Sequence, residues 1–517
     1  MQNSILLYIG TFLVLFVFSC SDQLSSPKTP SIEKVIKKEE VKVNPSGYAP
    51  LTARIDVTTD VPTSVTLKVA GKSEESPDVT HQFEEVSTEH SMPALGLYAD
   101  YDNIVTLTFH DNGGAELGTR VYHIQTDPLI NDMPTVDIQT AQTTQMANGM
   151  TLVSYFGHGH NDKDRPQRPF IFDRSGAIRW YLDYSSSPVL SKLFYDVGIE
   201  RLQNGHLYFG DGSTAAVYEI NMLGKIIDKW DLPGYGFHHN VLEKPNGNFL
   251  VTVSKNGSDT IEDHVLELDR DTKEIINVWD LRKSLDYDRT ILTGGEKRAD
   301  WIHINAVAYD PSDNTILVSG RTQGVIKLTQ DNKVVWIMGP HKDWGTSGNG
   351  VDLNQFLLQP LDTQNQPIND QAVLDGDAND PDFEWNWCQH AVKVMPNGHV
   401  TIFDNGDQRN YTTTGPYSRA VEYAVDADNM TIKQIWSYGE NRGSETYSRI
   451  VSDVDYMPKT NHVIFSPGAV NYGGHSYGKA IELDYDTKQV LFEATIRPPE
   501  AVYGITFHRT ERMSLYP

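Results

Sequence analysis

Cysteine is nearly absent: two occur in 517 residues, Cys20 and Cys388. That excludes a disulfide-stapled scaffold. Basic residues are also scarce, 43 Lys and Arg against 69 Asp and Glu, for a formal net charge of -26. A chain so acidic is not built to bind nucleic acid or an anionic membrane surface, both of which need a basic face. An anionic substrate would have to be held by a few placed cationic or N–H groups. The apolar run near the start, Ile5 to Phe18, has 14 residues, short of the roughly 20 that a membrane-spanning helix needs. There is no GxxxxGK[ST] phosphate loop for a nucleotide.

What is present begins with that run. "MQNSILLYIGTFLVLFVFSCSDQ" fits a secretion signal, and Val17-Phe18-Ser19-Cys20 resembles a bacterial lipobox, whose cysteine is lipidated and becomes the mature N-terminus. No Lys or Arg precedes the run, which keeps a plain signal peptide or an uncleaved anchor as alternatives. With Cys20 lipidated, Cys388 has no intramolecular partner and is expected to be a small buried apolar residue. The next stretch, "SDQLSSPKTPSIEKVIKKEE", is rich in Ser, Pro and charge and reads as a flexible tether. From about Val41 to Gln125, short alternating runs separated by turn residues predict a small β-sandwich.

Beyond about Asp132 a repeat organises the chain. Related turns recur at Ala147, Gln203, Pro245, Pro311, Pro396 and Pro458, each followed by an apolar strand. A second pair of strands follows in each unit, with Trp in the last at 180, 230, 279, 336 and 436, and Phe492 in the sixth unit. Four antiparallel strands per unit, six units and no helices predict an all-β protein: a six-bladed β-propeller preceded by a small N-terminal β-sandwich. The expected division is a signal segment (1–20), a tether (21–38), the sandwich (39–131) and the propeller (132–517). Either "TVDIQTAQ" or the terminal "YGITFHRTERMSLY" could close the ring. Trp336 and Trp436 stand 100 residues apart, about twice the usual interval, because the segment 340–387 is inserted. Loops this long are usually functional. Within it "DGDAND", Asp375 to Asp380, starts like a calcium loop but lacks Gly at the sixth position and a carboxylate at the twelfth, where Asn386 stands. No metal is expected.

The strand before each Asn-Gly turn should be innermost in its unit. Aligning "HHNVLEKPNGN" with "QHAVKVMPNGH" sets His239 on His390, each six residues before the turn proline, and the same register is Asn305 in "DWIHINAVAYDPSDN". His303 lies two residues earlier and so on the same strand face. The partner strand of that hairpin ends "ILVSGR", which brings Arg321 near. One histidine at a strand start is usually structural; a set in common register, with an amide and an arginine, supplies a nucleophile and several donors that could converge on an anionic group.

These blocks, "FHHNVLEKPNGNFL", "DWIHINAVAYDPSDNTILVSGR", "QHAVKVMPNGHVTIFDNG", "SRAVEYAVD" and "IWSYGE", together with "NPSGYAPLTARIDVTTDVPTSV" near the start, resemble the bacterial aryl sulfotransferases that use aryl sulfates as donors. The resemblance implies that His390 is the nucleophile that carries the sulfuryl group. It implies roles for His303 and Asn305 of the "HIN" block, for Arg321, and for His238 or His239. His239 is preferred because it shares the register of His390. It implies an aryl sulfate donor, a phenolic acceptor and no cofactor. The lipobox places the protein, lipid-anchored through Cys20, at the bacterial envelope outside the cytoplasm, and a homodimer is left open. An aryl sulfate hydrolase and a binding propeller without catalysis are the rival readings.

Overall fold

The computed structural model describes residues 32–155, 167–193, 199–412, 415–471, 475–499 and 504–517. Cys20 and the apolar run before it lie outside them. The strands expected to form a sandwich belong to one hydrogen-bonded five-stranded sheet. Its longest member, Thr52–Val69, pairs with Val79–Leu95 along one edge. Its other edge pairs first with Ile36–Val43 and then with Asp102–His110. Alternation along these strands buries Val65, Leu67, Val69, Val105, Leu107 and Phe109 on one side, as period-two patterning requires. Residues 21–31 of the expected tether lie outside the described residues. A helical turn, Ile32–Val35, and the strand Ile36–Val43 already occupy the end of the 21–38 segment, because Ile32 and Val35 find burial against the domain core.

Among the described residues six further sheets of four or five strands follow, an arrangement consistent with a propeller. In three of them the first strand in the sheet is also first in sequence, Glu200–Arg201, Tyr235–Glu243 and Ile304–Asp310; His390–Val394 and Asp453–Met457 hold the same place in two more, each of which adds an earlier segment of the chain on its opposite edge. The remaining sheet takes its first strand, Phe507–Met513, from the end of the chain and pairs it with Met150–Tyr155. The other candidate for closure, Thr135–Ala141, joins the preceding sheet as an outer fifth strand against Val490–Arg497. Both segments therefore close the structure, each on a different sheet.

The recurrent Trp has a structural cause. Trp180, Trp230, Trp279 and Trp436 each donate Nε1–H to a backbone carbonyl about 40 to 50 residues further on, those of Met222, Arg270, Thr329 and Tyr485, at 2.7 to 2.8 Å. Each indole thus fills the seam between its own sheet and the next, and satisfies its polar edge there. Histidines that follow the recurrent turns are likewise structural: His206 and His399 pair with Glu219 and Glu422 at 2.5 Å, and His462 with Glu482 at 2.8 Å. The insertion runs along the outer edge of its sheet, where Gln359–Leu361 pairs in parallel with Thr431–Tyr438. It also contains a four-residue helix, Gln371–Leu374, a correction to the helix-free expectation, as is Leu281–Ser284; both are single turns between strands.

Adjacent sheets are clasped by asparagine side chains at their inner ends. Asn240 Oδ1 accepts from Val307 N at 3.1 Å, Asn305 Nδ2 donates to Gln389 O at 2.8 Å, and Asn405 Nδ2 donates to Ser448 O and Val451 O at 2.8 and 3.0 Å. The last strand reaches the sheet of Glu200–Arg201 through an Arg509–Glu200 ion pair and an Arg201 bond to Leu515 O at 3.2 Å.

Candidate functional site

Four of the first strands break their pairing at the same level. Register shifts fall between Phe237 and Val241, Ile304 and Ala306, His390 and Lys393, and Phe507 and Thr510. Extra residues on one strand swing side chains out of the regular alternation. Here the breaks hold His238, His239, Asn305 and His508, and one begins at His390. His239, His303 and Ala391 adopt positive φ of 57°, 55° and 55°, conformations that non-glycine residues seldom take and that cluster at functional sites. The assumption of an unbroken two-residue period was therefore wrong locally: His303, in the left-handed region just before its strand, does not reach the site by simple alternation with Asn305.

The breaks bring four imidazoles together. Ring centroids lie 4.8 Å apart for His239 and His303, 6.4 Å for His239 and His390, 5.4 Å for His239 and His508, and 6.2 Å for His390 and His508. His238 packs on His239 at 3.9 Å, and it is His239 that has a ring contact with His390. Asn305 is close by through its bond to Gln389 O, and its buried Oδ1 has no hydrogen-bond partner among the described residues. Arg321 donates its backbone N–H to His303 O at 3.1 Å, as expected for the end of the hairpin partner. Its guanidinium is held by Asp407 at 2.9 Å, and Asp407 also takes Arg449 at 3.2 Å.

Charge is distributed unevenly. Burial drives His390 well below the ordinary histidine range, helped by His508, His239 and Arg321 nearby. A buried imidazole among other cationic groups stays neutral. His303 shifts the other way. Burial opposes its charge, but hydrogen bonds to Asp300 and Glu262 outweigh that and raise it. Glu262, also penalised by burial, is held far below the usual carboxylate range by His238, His239 and His303. The site thus sets a neutral histidine beside a pair of rings that can carry a proton.

His238, His239 and Glu262, and separately Glu262, Asp300 and His303, bring ligand-type atoms within 4.8 Å of one another. Within these groups His238 meets Glu262 at 2.7 Å, and His303 meets Glu262 and Asp300 at 2.7 and 2.8 Å. Such contacts are charge-assisted hydrogen bonds with a proton between nitrogen and oxygen; two ligands on one zinc ion would stand about 3.3 Å apart. In "DGDAND", Asp377 is paired with Lys342 at 2.8 Å and Asp375 O accepts from Tyr411. Cys388 is buried, and burial lifts its thiol to about 11.

Sequence reasoning missed Glu262, Asn405, Asp407 and His508. Asn405 Oδ1 meets His390 Nδ1 at 2.8 Å. Asn405 and Asp407 lie in "DNGD", directly after the strand that pairs with His390–Val394.

The fold and site define a mostly β protein of repeated sheets whose inner ends hold a histidine cluster fit to receive an anion. The chain belongs to the arylsulfotransferase (ASST) family, whose description matches residues 135–503, and residues 40–127 match the arylsulfotransferase Ig-like domain. It is similar to the arylsulfate sulfotransferase AssT of Escherichia coli O6:H1, 29% identical with 92% of this chain and 93% of that protein covered. The arylsulfate sulfotransferase AssT of Lelliottia amnigena is also 29% identical, with 88% and 90% covered. A solved streptogramin B lyase shares 10% identity over 84% of this chain and 98% of its own, at a TM-score of 0.32, too distant to bear on the site.

Proposed function

We propose that this protein moves a sulfuryl group from an aryl sulfate to a phenolic acceptor in two steps, through a sulfohistidine on His390. The carrying observation is that His390 is buried, held neutral, and in ring contact with His239, which shares a hydrogen bond with the proton-rich His303. A neutral ring nitrogen attacks sulfur, the sulfur–oxygen bond to the aryl group breaks, and the departing phenoxide takes a proton from the His239–His303 pair. A second phenol then gives its proton to that pair and takes the sulfuryl group. Arg321, aligned by Asp407, would hold sulfuryl oxygens, and Asn305 has one amide N–H left over for another. No cofactor is required. The reading includes six blades, one for each sheet after the N-terminal domain, and membership of the arylsulfotransferase family supports the substrate class.

Mixing the protein with a chromogenic aryl sulfate and no acceptor should release about one phenol per chain and leave one sulfuryl mass on the His390 peptide. His390→Asn should abolish both. Release stimulated by added phenol identifies a transferase, release indifferent to it a hydrolase, and no release a binding protein. A His390→Asn protein that still formed the adduct would overturn the assignment of the nucleophile. We further propose that the mature protein begins at lipidated Cys20 and sits at the cell envelope facing away from the cytoplasm.

A further inference from the structure

We infer that Asn405 is a positioning residue that fixes which nitrogen of His390 reacts and keeps the other one protonated through both transfer steps. The inference rests on His390 being the nucleophile.

The orientation of the Asn405 amide is determined by its neighbours. Its Nδ2 lies 2.8 Å from Ser448 O and 3.0 Å from Val451 O. Both are backbone carbonyls, which only accept, so the NH2 group must face them. The opposite end of the amide, 2.8 Å from His390 Nδ1, is then the oxygen, also a pure acceptor. Nδ1 must therefore carry the proton, and in a neutral ring the lone pair sits on Nε2. Asn405 and His390 are both buried, so water cannot easily substitute for either partner.

The carbonyls that orient the amide are themselves held with care. Val451 and Ser452 have φ of 51° and 88°, a region that a β-branched residue seldom enters without strain. The curl is tied by Ser448 N to Ser418 Oγ at 2.8 Å, Ser452 Oγ to Ser448 Oγ at 2.8 Å, and Ala469 N to Ser448 Oγ at 2.9 Å. Ser418 Oγ also donates to Asn405 O at 2.7 Å. A strained segment aimed at one side-chain amide is what a device for orienting that amide needs.

The chemistry explains why an amide stands there and not a carboxylate. When Nε2 attacks sulfur and the phenoxide leaves, the ring keeps its Nδ1 proton and becomes a cationic imidazolium bearing the sulfuryl group. The cation is a good leaving group, so the acceptor phenol can displace it and return the electron pair to Nε2. A basic partner at Nδ1 would draw that proton away and turn the adduct into a neutral sulfo-imidazole, which parts with the group more slowly. In the resting state the same partner would favour imidazolium, which has no lone pair to attack. Asn405 accepts the hydrogen bond but is not basic enough to take the proton in either state.

The direct test is 15N NMR of the histidine-labelled wild-type protein at neutral pH. The expected result is a His390 ring with its proton on Nδ1 and a pyridine-type Nε2; the opposite tautomer overturns the inference even if the sulfuryl mass is found on His390. Failure to find that mass overturns the underlying reading instead. Asn405→Asp should move the acid limb of the burst rate upward by about 1–3 pH units, as a carboxylate within hydrogen-bond reach raises the pKa of a ring, and should lengthen the lifetime of the isolated adduct at least tenfold towards phenol. An Asn405→Asp protein that folds with its acid limb and adduct lifetime unchanged shows that the amide only packs the site.

Discussion

Nε2 of His239 lies 3.0 Å from Nε2 of His303, so the two rings share one proton and cannot both present it. On the far side of His303, Nδ1 is engaged by Glu262 and Asp300 at 2.7 and 2.8 Å. Two carboxylates behind one ring keep it charged above the pH at which a free histidine would lose its proton, and in the proposed reaction the shared bond would deliver that proton to the departing phenoxide. A prediction follows for pH. Because the pKa of His303 is raised, the acid form persists above the ordinary value of about 6.5, and the first step slows only as pH rises through the raised value. Glu262→Gln removes one source of the rise, so the alkaline limb of kcat/KM for aryl sulfate should move to lower pH, while the acid limb set by His390 stays lower than 6.5. A profile with an unmoved alkaline limb would separate His303 from proton transfer.

Arg321 and Asp407 form the second testable pair. Arg321→Ala should lower kcat/KM for the donor by about 10²- to 10³-fold, the usual cost of losing a charged donor to a developing anion. Arg321→Lys should recover little, since an ammonium cannot replace the planar fork. Asp407→Asn should cost about tenfold by loosening the alignment alone, and the double variant should be no worse than Arg321→Ala. Steady-state assays on the four proteins decide this; additive losses in the double variant would show that Asp407 acts elsewhere.

Chelation bears on the imidazole–carboxylate groups. If protons and not cations join them, dialysis against EDTA leaves turnover unchanged, and calcium or zinc added afterwards does not raise it. Loss of activity with EDTA and recovery on adding one ion would reassign Glu262 and its neighbours as ligands.

The envelope location is tested at Cys20. Cys20→Ala should still be exported yet appear in the soluble fraction, whereas the parent protein pellets with membranes and its Cys20 peptide carries acyl mass. A variant that continues to pellet would mean that something other than the lipobox holds the protein.

Much of this site was legible in the sequence because propeller-like repeats put equivalent residues in equivalent places. Aligning turns was enough to bring His239, Asn305 and His390 into one register, and the spacing of Trp180, Trp230 and Trp279 follows from an indole bond repeated at three successive seams. Three features escaped. The bulges are set by local backbone strain, which no period reveals, so the path by which His303 reaches His239 was misread. His508 lies on a strand whose sheet is decided only by ring closure, a contact between Phe507–Met513 and Met150–Tyr155 more than 350 positions apart. Asn405 was within reach: the reasoning that put Arg321 near His303, from the end of the paired strand, applies equally to Asn405, two residues past the Phe403 that pairs with His390.

The way the chain fastens its ends has a bearing on its biosynthesis. His508 is synthesised after every other member of the cluster, on the strand that completes the first sheet of the repeat, while Thr135–Ala141 waits for Val490–Arg497. Until those late segments emerge, two sheets keep open edges of the kind that pair with neighbouring chains, and the reactive pocket has only part of its wall. The histidine cluster is therefore complete only once the final strand has paired, so folding of the whole chain and assembly of the site end in the same step.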